Sequence, residues 1–165
     1  MDELPREHEA LELGAAQLAI DEANYLFFGK SYNQDLNPNT RYIKMYGRKI
    51  YEFALSKVPA AMKSCLDKSG IEINQVKKIL IHQANEKMDE AIIHRFYKLY
   101  GQTPPKDIMP MSINELGNSS VATVPTLYDL LTKGQIENHE IHKGDVIMFA
   151  SVGAGMNVNA FVYRY

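Results

Sequence analysis

Apolar residues recur at three- and four-residue spacing between Gly47 and Ser69, where Ile50, Phe53, Ala54, Val58, Ala61, Met62, Cys65 and Leu66 fall on one side of a helical wheel. The spacing predicts a long amphipathic helix, closed by Gly70 as helix C-termini often are. Pro59 lies inside it and predicts a kink, because its ring removes one amide hydrogen bond. The short β-rich run Lys77-Lys78-Ile79-Leu80-Ile81-His82 follows. After Asn85 a second helical pattern carries Met88, Ile92, Phe96 and Leu99 as far as Gly101. Beyond a loop containing Pro104, Pro105 and Pro110, the pattern predicts an extended segment near Ile108 to Ile113, a turn at Gly117 and a helix from about Ser119 to Thr132. Two strands, Val146 to Ala150 and Ala160 to Tyr163, close the chain around a Gly-rich turn. Upstream, residues 7–28 are rich in Ala, Leu and Glu and predict a helix, and residues 29–39 are a run of turn formers.

Helices alternating with strands and ending on a strand pair predict an α/β domain whose mixed sheet has helices on both faces. Ligands in such sheets sit beyond the carboxyl ends of strands. His82, Gly117-Asn118 and Gly153-Ala154-Gly155 each lie at or just past a predicted strand end, so three separated segments converge on one expected site.

Composition narrows the classes of function. The 165 residues suffice for one domain with a real core, and 45% hydrophobic with 23% charged residues is ordinary for a globular protein. A net charge of -2 offers no general attraction to nucleic acid, and no apolar run is long enough to span a bilayer. Met1-Asp2-Glu3-Leu4-Pro5-Arg6-Glu7 lacks the pattern of a secretory signal, and a single cysteine, Cys65, fits a reducing compartment; the expectation is a cytoplasmic protein with neither nucleic acid nor membrane as partner. The five histidines show no metal-ligand spacing, so no metal and no cofactor is expected.

Taken singly, the candidate residues leave two readings each. His82 precedes a polar loop that opens a helix, whose N-terminal dipole favours the neutral ring as a hydrogen-bond partner for an oxyanion; the alternative is a histidine that satisfies local backbone. Asn118 reads first as a helix cap. Gly153-Ala154-Gly155 reads as a tight strand-to-strand turn rather than a phosphate loop, and Cys65 as a buried structural thiol.

Together, Tyr42-Ile43-Lys44-Met45-Tyr46-Gly47-Arg48, Ile81-His82-Gln83-Ala84-Asn85, and Gly117-Asn118-Ser119-Ser120 with Val124-Pro125 resemble, in that order, the signature of β-ketoacyl-acyl-carrier-protein synthase III, a condensing enzyme of the thiolase superfamily. The resemblance covers residues 41–165, the carboxy-terminal half of such an enzyme, and leaves residues 1–40, an N-terminal helix and loop, unassigned. It implies one half of a thiolase-like fold, with the nucleophilic cysteine supplied by an N-terminal half of the same enzyme. It further implies joining of an acyl group from a coenzyme A thioester to malonyl on a phosphopantetheinyl acyl carrier protein, in fatty-acid initiation or a related pathway. His82 and Asn118 match the catalytic pair at the malonyl thioester carbonyl. Met45, Gly47, Tyr51 and Asn85 match positions along the pantetheine tunnel, Gly153 and Ala154 the oxyanion turn, and Lys87 and Arg95 basic positions facing the carrier protein. The resemblance also implies a homodimer for the intact enzyme.

Two departures carry weight. Val152 stands where the family has an aromatic residue, and Ala154 where it has a glycine, so that the amide remains but positive φ is resisted. The rival activities are transfer of an acyl group without decarboxylation, and a non-catalytic half that binds the carrier.

Overall fold

The computed structural model describes residues 26–153 and 156–165. Strands β1 (Leu26–Gly29) and β2 (Tyr42–Met45) form an antiparallel pair. Helix α1 (Gly47–Ser69), strand β3 (Val76–Ile81), helix α2 (Glu86–Lys98), the one-turn helix α3 (Ile113–Leu116), helix α4 (Thr123–Thr132) and strands β4 (Val146–Gly153) and β5 (Asn157–Arg164) follow. The main sheet has the order β3-β4-β5, parallel in the first pair and antiparallel in the second.

Strand periodicity decides which side of this sheet each residue feeds. On one face Ile79, Ile81, Met148, Ala150, Val158, Ala160 and Val162 join α1 and α2 in the larger core. Leu80, Ile147 and Phe149 turn the other way and meet Leu127 and Leu131 of α4. Helices therefore cover both faces, as the alternation predicts. The α4 side is less complete: Phe161 stacks on Phe149 with ring centroids 4.5 Å apart, yet remains 47% exposed.

Helix α1 ends on Gly70 at φ 68, a left-handed cap that glycine adopts without strain. It runs unbroken through Pro59. Proline has no N–H for the Leu55 carbonyl four residues back, and the Arg95 guanidinium of α2 donates to that oxygen at 3.2 Å. A second tie comes from just beyond α2, where the Tyr100 hydroxyl donates to Asp67 Oδ1 of α1 at 2.8 Å.

Two expectations are corrected. Of the helix predicted over 7–28, the part within the described residues, 26–28, is strand: Leu26, Phe27 and Phe28 pair with Met45, Lys44 and Ile43. β-Prone aromatic residues meeting a partner strand across the loop override the helical composition upstream; residues 7–25 lie outside the described residues. The segment near Ile108 to Ile113 adds no strand. A single bond, from Ile79 N–H to the Ile108 carbonyl at 2.8 Å, touches the sheet edge, after which Pro110 has no N–H to offer and α3 begins at Ile113. No helix among the described residues is long and apolar enough to cross a membrane.

Candidate functional site

The carboxyl end of β3 delivers His82, whose backbone N–H donates to the Ala150 carbonyl of β4 at 3.0 Å and so extends the parallel ladder by one bond. His82 lines a cleft of about 510 Å³. Ser120 and Val121 line the same cleft from the segment before α4, as do Val152 and Gly153 from the end of β4 and Phe161 from β5. Of the residues expected to converge, His82 and Gly153 line the cleft, whereas Gly117 and Asn118 do not, and Ser120 and Val121 line it from that segment instead. Ala154 lies outside the described residues.

Asn118 is exposed and does not itself line that cleft. Its Oδ1 accepts the backbone N–H of Ser120 at 2.9 Å. Gly117 before it has φ 67 and ψ -165, a combination essentially confined to glycine, and Ser120 has φ 55. The side-chain bond therefore supports a strained turn leading to the short 3-10 helix Ser120–Ala122. With Oδ1 occupied, the Nδ2 group has no acceptor among the described residues. A local turn bond and an outward donor are compatible in one amide.

The other residues matched by resemblance stand apart from the cleft. Met45 ends β2, and Gly47 and Tyr51 open α1; all three are exposed. Asn85 is the N-cap of α2, its Oδ1 accepting the Met88 N–H at 3.2 Å. Lys87 and Arg95 are both exposed on α2, with one Arg95 N–H engaged by Leu55. Cys65 is fully buried, and burial pushes its thiol above the ordinary range.

Two residues behind His82 escape simple sequence reading. Gln83 is 0% exposed; its Nε2 donates to the Pro110 carbonyl at 2.8 Å and its Oε1 accepts the Ser112 N–H at 2.9 Å, pinning the loop after β3 to the loop before α3. Asp89, on the first turns of α2, is also 0% exposed, and burial pushes its carboxyl up to about 7.

Comparison with known proteins places the whole arrangement. The family model described as 3-oxoacyl-[acyl-carrier-protein (ACP)] synthase III C terminal matches residues 66–165. The β-ketoacyl-[acyl-carrier-protein] synthase III of Levilactobacillus brevis is 28% identical over 150 residues, 88% of this chain and 43% of that protein. That of Porphyra umbilicalis is 33% identical over 130 residues, 78% of this chain and 37% of that protein. The crystal structure of 3-oxoacyl-[acyl-carrier-protein] synthase III from Aquifex aeolicus VF5 shares the fold with a TM-score of 0.68 at 24% identity, over 93% of this chain and 44% of that one. The chain spans less than half the length of these relatives. With the family model covering residues 66–165, and with a β3-α2 turn, a segment before α4 and a β4 end gathered on one cleft, the chain belongs to the 3-oxoacyl-[acyl-carrier-protein] synthase III C-terminal family.

Proposed function

We propose that this chain is the C-terminal catalytic half of a decarboxylating condensing enzyme that joins an acyl group, received from acyl-coenzyme A, to malonyl on an acyl carrier protein. The observation that carries the reading is His82 at the end of β3, lining a largely apolar cleft that Ser120, two residues after Asn118, also lines. In the proposed reaction the acyl group waits as a thioester on a cysteine of the N-terminal half. Malonyl loses carbon dioxide, and the electron pair of the broken bond moves onto the thioester carbonyl as an enolate. The enolate carbon then attacks the acyl thioester and expels the cysteine thiolate. His82 and the Asn118 Nδ2 group donate hydrogen bonds to the enolate oxygen, where charge develops only during decarboxylation. Removal of one such donor typically costs about 10² to 10³ in rate. Lys87, exposed on α2, and the free N–H groups of Arg95 serve the acidic carrier.

The test uses a protein in which this chain is joined to its nucleophile-bearing half. His82→Ala and Asn118→Asp are each expected to lower carbon dioxide release from malonyl-carrier by about 10² or more while acylation of the upstream cysteine is much less affected. Asn118→Asp is the sharper variant, since Asp keeps the acceptor for Ser120 N–H and puts a charged acceptor where the amide donor stood. Full activity there, with an unchanged melting temperature, would refute the assignment.

A further inference from the structure

The segment between α2 and α3 meets the edge of β3 through one backbone bond among the described residues, Ile79 N–H to the Ile108 carbonyl at 2.8 Å, and Pro110 brings no N–H for another. Gln83 continues the contact with its side chain. Nε2 donates to the Pro110 carbonyl at 2.8 Å and Oε1 accepts the Ser112 N–H at 2.9 Å, and Gln83 is 0% exposed. In a parallel ladder a residue bonds through its own N–H and C=O to two partner residues that stand two apart in this same way. The side-chain amide therefore replaces a peptide group, opposite Met111 and just beyond Ile81 where β3 ends. Since Pro110 offers an acceptor and Ser112 a backbone donor, one orientation of the amide satisfies both.

Each end of this clasp leads to one of the two proposed donors. Gln83 follows His82, whose N–H is held by the Ala150 carbonyl at 3.0 Å. Ser112 is the N-cap of α3; its carbonyl accepts the Leu116 N–H at 2.8 Å, and the Gly117 N–H donates to the Ile113 carbonyl at 2.9 Å, directly before Asn118. A buried amide is costly unless both its ends are paired, and when paired it specifies an arrangement that apolar packing would leave open. We propose that Gln83 is a positioning residue: its side-chain amide, standing in for a backbone peptide, fixes the register of residues 108–112 along β3 and thereby the placement of Asn118 relative to His82. The register stands on its own; its effect on decarboxylation rests on the proposed function.

Gln83→Glu supplies the test. A protonated carboxyl reproduces the amide, its O–H donating to Pro110 and its C=O accepting from Ser112, whereas a carboxylate turns a second acceptor on the Pro110 carbonyl. Buried there, the introduced carboxyl titrates above the ordinary carboxylate range. The variant and the unmodified chain, which carries the native titrations of His82 and Asp89, are labelled with nitrogen-15 and followed from about pH 5 to about pH 9. Below the new midpoint the Ser112 and Ser120 amides and the Asn118 side-chain amide are expected at their native positions; above it all three should shift together. In the intact enzyme, kcat for carbon dioxide release should fall about tenfold or more through the same midpoint, with KM for malonyl-carrier and acylation of the upstream cysteine little changed. Amides that stay native throughout, or a Ser112 amide that shifts while Ser120 and Asn118 do not, overturn the inference. So does a joint shift that decarboxylation ignores when His82→Ala is inactive; a fully active His82→Ala instead removes the proposed function and leaves the amides to decide the register. If Gln83→Glu does not fold, Gln83→Met, of similar length and without an N–H, is read in its place: displaced Ser120 and Asn118 amides support the inference and native ones overturn it.

Discussion

The contact between Arg95 and Leu55 can be weighed with a double-mutant cycle. Pro59 leaves the Leu55 carbonyl without its helical donor, and Arg95 supplies one from the neighbouring helix at 3.2 Å. A hydrogen bond from a charged group contributes about 1.5 to 3 kcal/mol when buried; at this length, with the guanidinium partly in water, about 1 kcal/mol is reasonable. Arg95→Met keeps the apolar stem and removes the donor, so in the native background it is expected to cost about 1 kcal/mol. Pro59→Ala restores an N–H in register with Leu55, and Arg95→Met in that background should cost no more than a few tenths of a kcal/mol. Urea unfolding of the four proteins gives the coupling directly, provided the slope with denaturant is unchanged. An equal cost of Arg95→Met in both backgrounds would refute the reasoning. The result also bears on docking, since charge reversal at Arg95 would then disturb the α1–α2 contact as well as any carrier.

Three further outcomes are expected. Asp89→Asn should stabilise the chain near pH 8: as pH rises from the ordinary carboxylate range to about 7, the unfolded chain releases a proton that the folded one retains, and stability is lost. The full shift converts to about 4 kcal/mol; about half is expected for Asn, whose N–H donors need partners, and urea midpoints should show the gain vanishing near pH 3. Burial, and then Lys78 with its Nζ 3.1 Å from Nδ1, hold His139 below the ordinary histidine range. The unfolded chain therefore takes up a proton first as pH falls below that range, and melting temperature should drop there in the native protein and drop less in His139→Gln. Gln83→Leu leaves the Ser112 N–H and the Pro110 carbonyl without their buried partner and should cost about 2 to 3 kcal/mol by urea unfolding; an unchanged urea midpoint would refute this.

Two kinds of element were legible in the sequence: α1, α2 and β5, buried along one side, and β3 and β4, short apolar runs covered on both faces. Helix α1 matches its predicted ends, and β3, α2, β4 and β5 fall within a few residues of theirs. Strand β1 was not, because its partner Tyr42–Met45 lies across a long loop and strand pairing leaves no local period. Asp89 was hidden by polarity. Read as the row Asp89, Ile93, Tyr97, each four residues from the last, it shares the buried face of α2, while Leu99, counted into the stripe, is 48% exposed. At the site, strand ends alone located His82 and Gly153, whereas the helix-cap reading of Asn118 is corrected: Ser119 and Ala122 stand at the N-caps of the 3-10 helix and of α4, and Asn118 Oδ1 bonds Ser120 N–H in the turn before them.

The parallel pairing of β3 with β4 has a kinetic meaning. Strands β4 and β5 are neighbours in sequence and can zip from their connecting turn, but Ile81 meets Ala150 only after residues 82–149 have been gathered into a loop. Closing a loop of that length costs on the order of 4 kcal/mol of chain entropy before any contact repays it. The pairing that delivers His82 is therefore expected late in folding, after the hairpin and the α1–α2 unit have formed. The cleft comes into being at the step that completes the sheet, and a chain arrested before that step would carry every helix and still hold no site.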